Sequence, residues 1–105
     1  MSSAAVESAR LDWEEGRRRF EAEASRSEQP ESLHRQVEAV SDELRRRLGD
    51  QFTLAELTDA YLGSERWARA IVDDRAPAPW SQGTLALVTD AAFQLASAHA
   101  VDFIP

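Results

Sequence analysis

Cysteine, lysine and asparagine are all absent from this chain of 105 residues. Without cysteine, disulfide bonds, a thiolate nucleophile and a cysteine-ligated zinc site are excluded together. The four glycines are scattered along the chain, so no glycine-rich phosphate-binding loop is present. All twelve basic residues are arginine, which we interpret as the codon bias of a GC-rich bacterial genome.

Histidine is scarce, with only two in the chain. Glu31 and His34 have the Glu-x-x-His spacing of di-iron helical bundles, but such sites need a second motif of this kind and further inward glutamates. His99 has no acid on its helical face, so we interpret His34 as a solvated side chain between Glu31 and Glu38. No Gly-x-Ser-x-Gly turn is present to carry a serine nucleophile. The sequence therefore predicts a protein that is not an enzyme, with no catalytic residue, metal site or cofactor.

Positive charge is also in short supply, because the net charge is −7 and the isoelectric point is near 4.7. Residues 1–49 contain eleven acids and nine arginines, whereas residues 50–105 contain eight acids and three arginines. A field of this sign repels nucleic acid and anionic membranes, and it favours solubility or a basic protein partner. We therefore expect a protein partner or a homo-oligomer, and neither nucleic acid nor a membrane.

No long hydrophobic run is present either. The most apolar stretch, residues 84–101, is interrupted by Asp90, Gln94 and His99, and it is too polar to span a bilayer. The N-terminus carries several acids where a signal peptide has a basic start followed by an apolar run. A cytoplasmic location is the expectation that follows.

Apolar residues recur at helical spacing, and no segment alternates with the period of two that is typical of a strand. We expect residues 1–105 to form a single all-α domain of about four to five helices, with a hydrophobic C-terminal helix at the centre. Residues 1–29 form a long charged helix in this prediction. Residues 30–105 form the helical core, with a proline-rich connector at 74–83.

The helix ends are well marked. Pro30 suits the first position of a second helix, and Gly49 suits its end. Thr53 and Glu56 predict a capping box at the start of the next helix. The second helix has one apolar face, formed by Leu33, Val37, Val40, Leu44 and Leu48.

Two arginine triplets invite a nucleic-acid interpretation, but acids precede both triplets at helical spacing. An acid four residues before an arginine gives the favourable order of an ion pair on a helix surface. Solvated, ion-paired faces therefore account for the triplets. The predicted pairs are Glu14–Arg18, Glu15–Arg19, Asp42–Arg46 and Glu43–Arg47.

Segment 53–72 has the proportions of a helix-turn-helix and resembles the motif of bacterial regulators in its opening Thr-Leu-Ala-Glu-Leu and in its turn glycine, Gly63. It departs from that motif at Asp59, where a small residue is expected. The helix that would read DNA presents only two cations, Arg66 and Arg69. The acidic second half of the chain opposes phosphate binding.

Large apolar residues of the first helix lie seven apart, at Val6, Trp13 and Phe20, on an otherwise charged helix. We interpret this stripe as a docking surface for another chain. The alternative is that Trp13 and Phe20 pack on the second helix in an antiparallel hairpin. Trp80 follows two prolines, and such a tryptophan can cover the edge of the core or anchor a partner.

The function that we predict is a non-enzymatic, helical protein–protein interaction module, an adaptor or regulatory subunit. The residues predicted to bind the partner are Val6, Trp13, Phe20 and Trp80. The first alternative is a helix-turn-helix DNA-binding transcriptional regulator that uses segment 53–72, with Arg66 and Arg69 on the DNA. The second alternative is a small accessory subunit of an enzyme complex.

Overall fold

The computed structural model describes residues 4–75 and 82–103, and within these ranges every regular element is an α-helix. The helices are α1 (Ala4–Arg26), α2 (Pro30–Leu48), α3 (Leu54–Tyr61), α4 (Ser64–Arg75) and α5 (Gln82–Ser97). The predicted all-α fold is confirmed.

The helix ends follow from local chemistry. Gly49 ends α2 with a φ of 81°, and its N–H donates to the carbonyl oxygen of Arg45 over 2.8 Å. At the start of α3, the Glu56 N–H donates to Thr53 Oγ1 and the Thr53 N–H donates to Glu56 Oε1, each over 3.1 Å. The predicted capping box is therefore present. A third capping hydrogen bond comes from Asp102, far away in sequence, whose Oδ1 accepts the N–H of Leu54 over 2.8 Å.

The C-terminal helix lies at the centre of the fold, as predicted. α5 packs against each of the other four helices, and α1 and α2 make the two largest contacts with it. It is rich in alanine and carries one acid, Asp90, and no base within its bounds. Small side chains leave room for neighbouring helices on several sides, which suits a helix in a central position.

The core consists of two adjoining groups of buried side chains. The Phe20 cluster comprises Phe20, Ala24, Leu33, Val37, Val40, Ala68, Leu85, Val88, Ala91 and Ala92. The Trp13 cluster comprises Val6, Trp13, Leu44, Phe52, Leu54, Leu57, Phe93, Ala96 and Ala100. α1, α2 and α5 contribute to both clusters, so these three helices hold the two halves of the core together.

The predicted docking stripe of α1 lies inside the core of its own chain, which corrects the first interpretation. Val6, Trp13 and Phe20 are 6%, 1% and 2% exposed. Trp13 and Phe20 are the two largest fully buried side chains among the described residues. The three reach the core because Gly16 and Ala24, on the same face, let the helix approach closely.

The alternative of a hairpin with α2 is also incomplete, because α1 packs mainly on α5. The two helices run antiparallel, since Glu23 pairs with Thr84 near one end and Arg17 pairs with Gln94 nearer the other. The hydroxyl of Thr84 donates to Glu23 Oε1 over 2.8 Å, and the Arg17 guanidinium donates to Gln94 Oε1 over 2.6 Å. These polar contacts flank the buried stripe.

The arginine triplets are ion-paired on the surface, but only two of the four predicted pairs form as written. Glu15 pairs with both Arg18 and Arg19, and Glu43 pairs with both Arg46 and Arg47 in the same way. The structure does not use Glu14 and Asp42 as the predicted partners of Arg18 and Arg46. Residues three and four apart are both neighbours on a helix, so one acid can serve two arginines.

Both ends of the predicted connector at 74–83 are helical, and residues 76–81 lie outside the described residues. α4 continues to Arg75 and α5 begins at Gln82, so both helices enter the predicted range.

Replacing Trp13 by alanine is expected to lower the free energy of unfolding by about 3–5 kcal/mol, because it empties a buried site between two aromatic rings. The ring of Trp13 lies 5.7 Å from that of Tyr61 and 5.4 Å from that of Phe93, between centroids. Leu11→Ala is the matched control on the same helix, since Leu11 is 64% exposed. It should change stability by less than about 0.5 kcal/mol in urea denaturation. Equal effects would show that α1 does not pack as described.

Candidate functional site

An exposed corner joins α3 to α4 through the two residues Leu62 and Gly63. The N–H of Leu62 donates to the carbonyl oxygen of Asp59 over 3.3 Å. The buried hydroxyl of Ser64 donates to the backbone carbonyl oxygen of Tyr61 over 2.8 Å. These bonds turn the backbone and leave the Leu62 side chain outside. At 85% exposure, Leu62 is the most exposed large apolar residue in the described part of the chain.

A groove of about 330 Å³ lies beside this corner, against the first half of α5. Its lining residues are Tyr61, Leu62, Ser64, Glu65, Leu85, Ala86 and Thr89. The hydroxyl of Thr89 donates to the carbonyl oxygen of Leu85 over 3.0 Å, as that of Ser64 does to Tyr61. Because these hydroxyls are already bonded internally, the described lining residues offer mostly apolar surface, together with the carboxylate of Glu65.

A second, larger hollow of about 620 Å³ lies on the other side of the corner. It is lined by Leu62, Gly63, Glu65, Arg66 and Arg69. Leu62 and Glu65 line both spaces, so Leu62 forms a ridge between them. The Arg69 guanidinium lies 3.8 Å from the Glu65 carboxylate, an exposed pair that contributes little to stability.

Tyr61 fixes the corner to the body of the protein. Its hydroxyl donates to Asp90 Oδ1 over 2.5 Å, and its ring packs edge-on against Phe93 with 5.0 Å between centroids. Asp90 in turn fits against Gly16 of α1. A Cβ atom at Gly16 would lie 2.3 Å from Asp90 Oδ2 and 2.4 Å from Asp90 Cβ. Only glycine therefore lets α1, α5 and the end of α3 meet here.

Burial dominates the electrostatics of this joint. It raises the pKa of Asp90, the negative charge of Asp12 raises that pKa further, and the bond from Tyr61 opposes both effects. Burial also raises the pKa of Tyr61, and the bond to Asp90 adds to that shift. Tyr61 therefore stays protonated at neutral pH and acts as a hydrogen-bond donor. The pair is suited to holding two helices together.

Of the four residues predicted to bind a protein partner, the structure places three in the core. Val6, Trp13 and Phe20 are buried, and Trp80 lies outside the described residues. Sequence reasoning missed Leu62. A usable signal was an apolar residue between two short helices, directly before Gly63. Two further signals were a glycine in a charged helix, Gly16, and an acid in an apolar helix, Asp90.

The two residues of the DNA-binding alternative do lie together, on the larger hollow. α4 turns Trp67, Ala68 and Ile71 to the core and leaves Arg66 exposed. The turn between α3 and α4 has two residues, one or two fewer than the turn of a usual helix-turn-helix. Arg69 already has an acidic neighbour in Glu65. A phosphate would have to compete with that carboxylate.

His34 is engaged by α1 instead of by the acids of its own helix. Its Nδ1 lies 2.8 Å from the carbonyl oxygen of Pro30, and its Nε2 lies 3.4 Å from Glu21 Oε2. The ring also meets Phe20 edge-on at 5.3 Å between centroids. Across residues 4–75 and 82–103, no three side chains of the His, Cys, Asp or Glu type are grouped so that they could hold a metal ion.

The chain matches no protein-family model, no curated protein and no solved structure. Within the described ranges, none of the helices has both the length and the apolar character needed to cross a membrane.

Substituting alanine for Gly16 is expected to destabilise the protein by about 1–3 kcal/mol, because the new methyl group would overlap Asp90. This runs against helix propensity, by which alanine gains about 1 kcal/mol over glycine in a helix interior. Gly63→Ala is the control, since nothing lies within 4 Å of a Cβ atom at Gly63. Thermal unfolding of both variants would test the contact. A Gly16→Ala variant as stable as the wild type would contradict it.

The raised pKa of Asp90 predicts a pH dependence of stability. The folded state binds this proton more tightly than the unfolded chain does, in which the pKa returns to its ordinary value of 3.8. Protonation of Asp90 therefore contributes its full stabilisation of the folded state below pH 3.8, and this contribution is lost as the pH rises through the folded-state pKa of Asp90. Asp90→Asn cannot titrate. The wild type should gain stability relative to this variant as the pH falls towards 3.8.

Urea denaturation of both proteins across a pH series measures this difference, and the carboxylates common to both chains largely cancel. A difference that stays constant with pH, or that changes in the opposite direction, would show that Asp90 is not held in a desolvated position.

Proposed function

We propose that this chain is a non-enzymatic protein-interaction module, an adaptor or regulatory subunit, that binds another protein at the corner between α3 and α4. The observation that carries the proposal is the 85% exposure of Leu62 on the ridge between two hollows. Single exposed leucines are common on protein surfaces and need no explanation by themselves. Leu62 differs because it continues into an apolar groove whose far wall includes Leu85 and Ala86.

The size and lining of the groove suit a side chain of a partner. A volume of about 330 Å³ is at the lower end of the range for ligand sites. Its hydroxyl groups are used inside the fold: that of Tyr61 bonds to Asp90, and those of Ser64 and Thr89 bond to backbone carbonyls. The groove therefore supplies shape and apolar contact. Burying one large apolar side chain contributes about 1.5–3 kcal/mol.

The corner is also rigidly held, which lowers the entropy lost on binding. The start of α3 is capped by Thr53 and by Asp102, and its last residue, Tyr61, is bonded to α5. Ser64 fixes the start of α4. A surface of this kind can accept a partner with little rearrangement.

The two alternatives relate differently to this surface. An accessory subunit of an enzyme complex would use the same corner, with an enzyme as its partner. A DNA-binding regulator would need the phosphate backbone to approach a half-chain that contains eight acids and three arginines. Counter-ion release on binding requires several unpaired cations, and one of the two candidate arginines is already next to Glu65.

A photoreactive amino acid in place of Leu62 should cross-link one discrete protein in the native cell. Leu11 is the matched control, because it is also an exposed leucine, 64% exposed, but lies on the outer side of α1. Mass spectrometry of the adducts would identify the partner. Equal adducts from both positions, or cross-links to nucleic acid alone, would overturn the proposed interaction at the corner.

A further inference from the structure

The walls of the groove next to Leu62 differ in charge from the rest of the surface. The chain has no basic residue between Arg47 and Arg66, and none after Arg75. Consequently α3 and α5, which form two walls of the groove, contain no arginine within their bounds. α3 instead carries Glu56 and Asp59, both exposed, in the two turns that precede Leu62.

More negative charge lies behind Tyr61. The Asp90 carboxylate accepts the Tyr61 hydroxyl over 2.5 Å, and the charge of Asp12 on α1 acts on both groups. On the third wall, Glu65 of α4 lines the groove directly. Its neighbour Arg69 lines only the other hollow, as does Arg66. Among the described residues, the groove is therefore apolar inside, with the Glu65 carboxylate on its lining and the acids Glu56 and Asp59 on the helix that leads to it.

This negative charge favours some binding partners of the apolar groove and opposes others. A second copy of the chain would bring another net charge of −7 to an acidic surface, which opposes self-association. An anionic lipid surface or a nucleic acid is repelled for the same reason. A protein segment with one apolar anchor and flanking lysine or arginine residues complements both the groove and these acids.

We infer, resting on the proposed function, that the groove binds a basic amphipathic segment of another protein. Its apolar anchor lies against Leu62 and Leu85, and its cations approach Glu65 and Asp59. The apolar contact supplies most of the affinity and the acids select the partner and speed its association.

A labelled amphipathic peptide built from leucine and lysine is a direct probe, with a peptide of the same length and pattern built from leucine and glutamate as its counterpart. Fluorescence anisotropy with the full chain should show saturable binding of the lysine peptide only. Leu62→Ser should weaken that binding about tenfold or more, which corresponds to about 1.4 kcal/mol, whereas Leu11→Ser should change it less than about twofold. Methyl NMR signals of Leu62 and Leu85 should shift on titration.

Charge is tested by Glu65→Gln and by salt. Removing this carboxylate should weaken the lysine peptide about two- to fivefold and reduce the dependence of its affinity on salt. Three results would overturn the inference: equal binding of the glutamate peptide, lysine-peptide binding that Leu62→Ser leaves unchanged, or no binding of either peptide. The second result would mean that the peptide is attracted only by the net charge of the chain.

Failure of this inference is distinguishable from failure of the proposed function. If the protein cross-linked through Leu62 contacts it with an acidic or uncharged segment, the proposed interaction module is retained and the inference of a basic partner is contradicted. If Leu62 cross-links no protein, both the proposed function and the inference of a basic partner are contradicted.

Discussion

Gly16 brings α1 so close to α5 that a methyl group in its place would lie 2.3 Å from the carboxylate of Asp90. That approach depends on the absence of a side chain, and much of the structure follows from it. Trp13, one turn earlier, enters the core between Tyr61 and Phe93. Asp90, held against the glycine, accepts the hydroxyl of Tyr61 and fixes the end of α3. The exposed corner at Leu62 is thus positioned from the middle of the first helix.

This arrangement divides the apolar residues between stability and recognition. A chain of 105 residues can bury only a limited apolar area, and α1 contributes Trp13 and Phe20 to that core. The apolar surface at the corner between α3 and α4 is consequently small: Leu62 and the groove formed with Leu85 and Ala86. A small apolar site gains selectivity from its surroundings, and here those surroundings are acidic. On the proposed function, this charge and shape favour a protein partner over nucleic acid.

Much of the fold could be predicted because its signals are local. The capping box of Thr53 and Glu56 spans four residues, and Gly49 ends α2 through a bond to Arg45, four residues earlier. The buried face of α2 repeats with the helical period. The central position of α5 follows from its apolar composition. The candidate site was predicted poorly, since the stripe of Val6, Trp13 and Phe20 would look the same in sequence whether it covered its own core or a partner.

Sequence alone determined the helices, the capping box of α3, the one-sided α2 and the acidic balance of the second half, because each depends on residue type and near-neighbour spacing. Tertiary structure decided which face is covered. It placed α1 along α5 instead of on another chain, brought Asp90 to Gly16 across 74 positions of sequence, and left Leu62 outside. Burial is a property of the whole packing arrangement. An exposed leucine and a buried tryptophan can only be told apart once every helix has its neighbours.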